Sequence, residues 1–206
     1  MSFTIRAANE SDLPVVCDVH AKCFPESFST RLGKKLLTAY YYEFYLEAPH
    51  LFLVCENDEG KMCGFVMGYV LGKTNAISNF MKKNRLRMGM KVLGLLLCFD
   101  KLAWRKVKKA FSRKKTPEQT QQQGSVIDKT GEGDLLSICV TEEMRGTGAA
   151  VAMVNKYNEV LSAHGHKVCY LTCETSNPRG LAFYKKLGYD ITEETKEKIC
   201  FRKDLV

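Results

Sequence analysis

Leu135-Leu136-Ser137-Ile138-Cys139-Val140, then Thr141-Glu142-Glu143-Met144, then Arg145-Gly146-Thr147-Gly148-Ala149-Ala150, is the stretch whose reading decides the fold. An apolar strand runs into a turn with two glycines, and the turn opens an apolar segment, Gly148 to His164, that repeats at helical spacing. At such a junction the first backbone N–H groups of the helix have no partner one turn back and the helix dipole is positive. The turn is therefore a ready seat for a pyrophosphate. Gly146 and Gly148 let the backbone come close to an anion. Taken alone, the same residues also read as a plain helix-opening turn.

Downstream the pattern repeats: a strand at Val168 to Cys173, a helix at Pro178 to Lys186, and strands near Tyr189 to Ile191 and Ile199 to Arg202. Upstream, Thr4 to Ala7 is a short strand. Asn9 or Ser11 then caps a helix carrying Leu13, Val16, Val19 and Cys23. Ser29 or Thr30 is expected to cap a second helix with Leu32, Leu36, Leu37, Tyr40, Tyr41, Phe44 and Tyr45, stopped before Pro49. Leu51 to Glu56 and Met62 to Leu71 flank the turn Asn57-Asp58-Glu59-Gly60 and read as a β-hairpin. Strands alternating with helices predict an α/β or α+β sheet protein, and the 206 residues fit one domain.

The turn resembles the Q/R-x-x-G-x-G/A signature of the GNAT superfamily of acyl-CoA-dependent N-acyltransferases, with Arg145, Gly148 and Ala150 on its positions. No Gly-Lys-Ser/Thr marks a P-loop, and no GxGxxG follows the first strand. Asn177 through Ala182 and Tyr184 to Gly188-Tyr189 is similar to the close of that family's motif, apart from the spacing of the alanine. The resemblance spans about residues 3–72 and 134–204. It implies a mixed, mostly antiparallel sheet flanked by helices and splayed between the fourth and fifth strands. It also implies acetyl-CoA as donor and direct attack by a primary amine in a ternary complex.

Carried over residue by residue, the resemblance gives the N–H groups of Arg145, Gly146, Thr147, Gly148, Ala149 and Ala150 to the pyrophosphate. Ile138, Cys139 and Val140 would pair with the pantetheine arm, and an N–H near Ile138 or Cys139 would hold the oxyanion. Asn177 would contact the cofactor arm, and Tyr184 would protonate the departing thiolate. Leu135 to Val140 holds no carboxylate, so Asp134 and Glu174 at the strand ends are the candidate bases, unless they are solvated end-of-strand charges. Phe24, Phe28, Tyr41 and Tyr45 are candidate acceptor-lining residues or core. An amino sugar, an antibiotic, a polyamine or a protein N-terminus all stay open as acceptors, with a loose likeness of Ala21 to Tyr42 to sugar-pathway acetyltransferases.

Residues 73–131 depart from the alternating pattern and read as an insertion. Between 82 and 115 stand thirteen Lys or Arg against one acid, Asp100, whereas the whole chain carries a net +8. Leu86, Met90, Leu93, Leu97, Trp104 and Phe111 are interleaved, which predicts one or two basic amphipathic helices over about 78–115. Such a segment would lie on an anionic membrane surface, gather an anionic substrate, or cap the core. Thr116 to Gly131 reads as a polar linker. The low aromatic content and the lack of a recognition motif weigh against nucleic acid, and an inactive binding adaptor on the same scaffold is the rival class.

The nine cysteines are odd in number and scattered through apolar runs without a CxxC pair. They are expected to be reduced thiols rather than disulfides or zinc ligands. The four histidines are expected to be structural, with no metal site. The sequence shows no signal peptide or spanning segment, so a cytoplasmic protein, peripheral at most at the inner membrane surface and monomeric or homodimeric, is expected.

Overall fold

The computed structural model describes residues 2–98, 100–112 and 129–205. Among them, seven strands form one sheet: β1 (Phe3–Ala7), β2 (Phe52–Asn57), β3 (Met62–Val70), β4 (Gly133–Val140), β5 (Val168–Glu174), β6 (Asp190–Glu194) and β7 (Lys198–Asp204). Their order is β1-β2-β3-β4-β5-β7-β6, and all neighbours are antiparallel except β4 and β5. The helices are α1 (Leu13–Cys23), α2 (Phe28–Leu32), α3 (Lys34–Glu47), α4 (Ala76–Leu97), α5 (Lys101–Ser112), α6 (Ala149–Ala163) and α7 (Pro178–Lys186). This is the mixed, mostly antiparallel sheet that the motifs imply.

Each face of the sheet buries its own core, because alternate residues of a strand point to opposite sides. Tyr157, Met153 and Leu161 of α6 pack with Leu135, Leu171 and Phe201 on one face. Tyr41 and Phe44 of α3 and Val16 of α1 pack with Val54, Phe65 and Met67 on the other. All nine cysteines are free thiols.

The long helix expected after residue 29 is in fact two. Ser27, not Ser29 or Thr30, is the N-cap of α2, its hydroxyl accepting from the Thr30 N–H at 3.1 Å. Gly33 at φ 90° then ends α2 after five residues and starts α3. Apolar spacing runs straight through that break, which is why periodicity alone reads one helix.

β4 and β5 pair only from Gly133 to Leu135 against Cys169 to Leu171 and then part. A bulge helps to part them: Met67 faces Ser137 while Gly68 faces Leu135, so Leu136 is the extra residue. Gly68 is required there, since a Cβ would collide with the Asp134 carbonyl and the Tyr157 hydroxyl. Those two groups are themselves joined by a 2.9 Å hydrogen bond donated by Tyr157.

The basic segment forms α4 and α5, and acidic side chains of α3 fasten the first of them. Glu43, only 5% exposed, accepts from Lys83 Nζ at 2.8 and 3.0 Å. One turn on, Glu47 accepts from the Asn75 N–H at 2.9 Å and from the Thr74 hydroxyl. Asp100 caps α5 by accepting the Leu102 and Ala103 N–H groups at 3.0 and 2.9 Å, and it pairs with Arg31 of α2. Most of the expected polar linker, residues 116–128, lies outside the described residues.

Candidate active site

Where β4 and β5 part, a cavity of about 1790 Å³ runs through the sheet. One end reaches the turn before α6, and the other lies among α1, α2, α3 and the two inserted helices.

At the turn end, Gly146 and Gly148 hold φ of 81° and 88°, and Gly148 is the N-cap of α6 in the left-handed region. A residue with a Cβ is strained there, which explains both glycines locally. The first α6 hydrogen bond is Ala152 N–H to Gly148 at 3.0 Å. Ala149 N–H is used instead by Thr147 Oγ1 at 3.3 Å, and Thr147 in turn donates to the Met144 carbonyl at 2.8 Å. The N–H groups of Ala150 and Val151, one and two residues on, have no partner one turn back and sit at the positive end of the dipole. Arg145, Gly146, Gly148, Ala150 and Val151 line the cavity. Thr147 and Ala149 do not, being taken up by the internal bond and by the core.

Along β4 the phase of the ladder decides which N–H groups are open. Thr141 donates to the Cys63 carbonyl at 2.8 Å. Because bonded pairs alternate in an antiparallel ladder, Cys139 with Phe65 and Ser137 with Met67 are bonded pairs as well. Ile138 and Val140 therefore turn their backbone groups toward the gap. Of the two N–H groups named from the sequence, that of Ile138 faces the gap, whereas the Cys139 N–H is spent inside the sheet. The Val140 carbonyl accordingly accepts from Cys23 Sγ at 3.3 Å.

On the β5 side, Asn177 caps α7, its Oδ1 accepting from the Gly180 N–H at 2.9 Å, and it lines the cavity. Tyr184 lies one helix length on, 9% exposed, against Phe183, Tyr189 and Phe201, and it too lines the cavity. Burial holds its phenol well above the ordinary value, so it stays protonated at neutral pH. Glu174 stands at the exposed end of β5 and lines the cavity. Asp134 does not: it sits at the opposite end of β4, where burial raises its carboxyl to about 6 against the pull of Lys129.

Phe24, Phe28 and Tyr41 line the other end of the cavity, whereas Tyr45 stands outside the lining, its ring 6.4 Å from Phe52. Sequence reasoning missed three contributors. The first is His20, buried, with Nδ1 2.7 Å from the Tyr41 hydroxyl and Nε2 3.1 Å from Ser29 Oγ; burial lowers its pKa to about 4, so the ring is neutral. The second is Cys23, whose thiol is drawn below its ordinary value by its hydrogen bond with Cys139 and by Arg145. The third is the inserted helices, which contribute Ile77, Phe80, Met81, Met88, Leu102 and Arg105. Their spacing at 77, 80, 81 and 88 was the available signal for a face turned inward.

Residues 115–189 match the family model described as acetyltransferase (GNAT) family. The fold is similar to Ard1 from Thermoplasma volcanium, with TM-score 0.62 and 15% identity over 100% of this chain and 99% of that one. The ribosomal-protein-S18-alanine N-acetyltransferase from Escherichia coli superposes with TM-score 0.59 at 14% identity, over 99% of this chain and 94% of the other. The paia N-acetyltransferase from Thermoplasma acidophilum, solved with coenzyme A, superposes with TM-score 0.58 at 12% identity over 99% of each chain. No curated protein sequence matches the chain.

Proposed function

We propose, from the premise that this chain is an acetyl-CoA-dependent acetyltransferase of the GNAT fold, that it acetylates the primary amine of a small molecule by direct attack in a ternary complex. One observation carries the reading: a single cavity joins the open N–H groups before α6 to the space under α4 and α5 through the gap between β4 and β5.

In this reading the pyrophosphate sits on the Ala150 and Val151 N–H groups, and the pantetheine arm follows the open backbone of Ile138 and Val140. The thioester carbonyl then lies at the gap, where the Ile138 N–H stabilises the oxyanion as the amine attacks. When the tetrahedral intermediate collapses, Tyr184 gives its proton to the leaving thiolate. The amine proton leaves toward the acceptor end, to Glu174 or to water. Asp134 lies too far along β4 for that task.

The acceptor end is walled by Phe24, Phe28, Leu36, Met81, Met88 and Leu102, with Glu26 and Arg105 among its polar groups. That favours an amine on an apolar or aromatic body. The reading further includes work in the cytoplasm, as a monomer or homodimer, with the basic insertion turned toward an anionic membrane face.

The test is thiol release from acetyl-CoA against a panel of aryl-alkyl amines, polyamines, amino sugars and peptide N-termini. Faster turnover of the aryl-alkyl amines is expected. Turnover of peptide N-termini alone would overturn the small-molecule assignment, and no amine-dependent release would overturn the transfer itself.

A further inference from the structure

Helix α4 carries apolar residues on two opposite faces, and among the described residues only one of them has a partner. Phe80, Asn84 and Met88 point inward, with Phe80 and Asn84 buried. Leu86, Met90, Leu93 and Leu97 are 73%, 60%, 58% and 71% exposed. At about 100° per residue these four fall within an arc of about 60°, about half a turn away from the inward face. They form one stripe along more than half of a 22-residue helix.

Exposed Lys82 and Arg85 flank one side of the stripe and exposed Arg87 the other, where Lys83 is already paired with Glu43. Neither α4 nor α5 contains an acidic residue. Beside the end of α4, Trp104 donates to the Leu96 carbonyl at 3.1 Å. With Lys101, Arg105 and Lys108 it lines a shallow groove of about 420 Å³. An apolar stripe edged by cations, with a half-exposed tryptophan, is complementary to a surface that is negatively charged outside and apolar beneath. A second copy of the same face would set cation against cation, and residues 113–128 offer only Val126 and Ile127 as large apolar cover.

We propose that the outer face of α4, through Leu86, Met90, Leu93 and Leu97 and their flanking cations, docks the protein on the surface of an anionic lipid bilayer. No helix among the described residues is long and apolar enough to cross a membrane, so the docking is peripheral. The opposite face of the same helix lines the acceptor end of the cavity. Docking therefore leaves α4 between the lipid surface and that end of the cavity.

The experiment is co-sedimentation of the full chain with vesicles of phosphatidylcholine alone and of phosphatidylcholine with about one third phosphatidylglycerol. Binding to the anionic vesicles is expected to exceed binding to neutral ones by about tenfold or more and to weaken with salt. The Leu86→Glu/Leu93→Glu pair should lose about tenfold of it, while melting temperature and acetyl-CoA binding in solution stay put. If the paired glutamates disturb α4, Met90→Ser provides the same reading with a smaller loss. Equal binding to both vesicles, or unchanged binding by a folded stripe variant, overturns the proposal. So does a concentration-dependent dimer that the stripe variants abolish, because a second copy would then be the occupant. Acetyl-CoA binding is read separately, so failure of the docking leaves the transfer reading intact.

Discussion

The two ends of the cavity are made of different material. The proposed donor end is backbone: N–H groups at the head of α6 and along the open edge of β4, held by glycines and by the phase of a ladder. Side chains make the acceptor end, drawn from α1, α2, α3 and two inserted helices that salt links hold in place. A backbone site tolerates change in side chains and fails when the conformation is forced. A side-chain site fails residue by residue and can be reshaped without harming the donor end.

Tyr184 stands at the seam, and its removal should have the largest effect. Tyr184→Phe keeps the ring against Phe183, Tyr189 and Phe201. Turnover should fall by about 10²–10⁴, with acetyl-CoA affinity and melting temperature nearly unchanged. Parental turnover of the folded variant would make Tyr184 a core aromatic and send the search for the acid elsewhere.

Gly148→Val tests the donor end alone. Nothing lies within 4 Å of a Cβ at this position, so the strain is confined to a φ of 88° that a β-branched residue resists. Calorimetry should show acetyl-CoA binding weakened on the order of 100-fold, because the turn must relax away from the anion-binding geometry. Unchanged affinity in a folded variant would remove the turn from the donor site.

Asp100→Ala tests the acceptor end alone, since it deletes both the cap of α5 and the link to Arg31. With the cap and the Arg31 link both lost, the KM for the amine should rise by about fivefold while acetyl-CoA affinity holds. A parallel change in both constants would mean that the two ends are not separable.

The smallest effect is expected outside the cavity, at Asp134. Its carboxyl is raised from 3.8 to about 6, chiefly by burial. Between those pH values the folded state keeps a proton that the unfolded chain gives up, so stability falls as pH rises through the window. Asp134→Asn should remove that fall and leave the variant more stable than the parent above pH 6 by up to about 2 kcal/mol, with turnover retained. Loss of turnover without loss of stability would return Asp134 to the site. Denaturant titrations across the pH range measure the first quantity, and steady-state rates the second.

The glycine turn before α6 and the bounds of α7 are local matters, and so they were legible. Pro178 to Lys186 was read with its ends because Asn177-Pro178 and the following Leu187-Gly188 act over one turn of chain. Gly33 shows the limit even of local reading: apolar spacing on both sides concealed the break. Asp134 and Tyr45 were placed near the site by their neighbours in sequence, but β4 carries Asp134 to its far end and α3 turns Tyr45 onto Phe52.

By itself, then, the sequence determined the strand-turn-helix that offers N–H groups to an anion, the alternation that builds the sheet, and the basic character of the insertion. Those follow from dihedral preference, side-chain period and charge, which each residue carries with it. Only the tertiary structure decided that Ile138 rather than Cys139 faces the gap, because that depends on which ladder partner takes each N–H. It also decided that α4 shows one apolar face to the acceptor end and the other to solvent, because Glu43 and Glu47, some thirty to forty residues earlier in the chain, fix its rotation on α3.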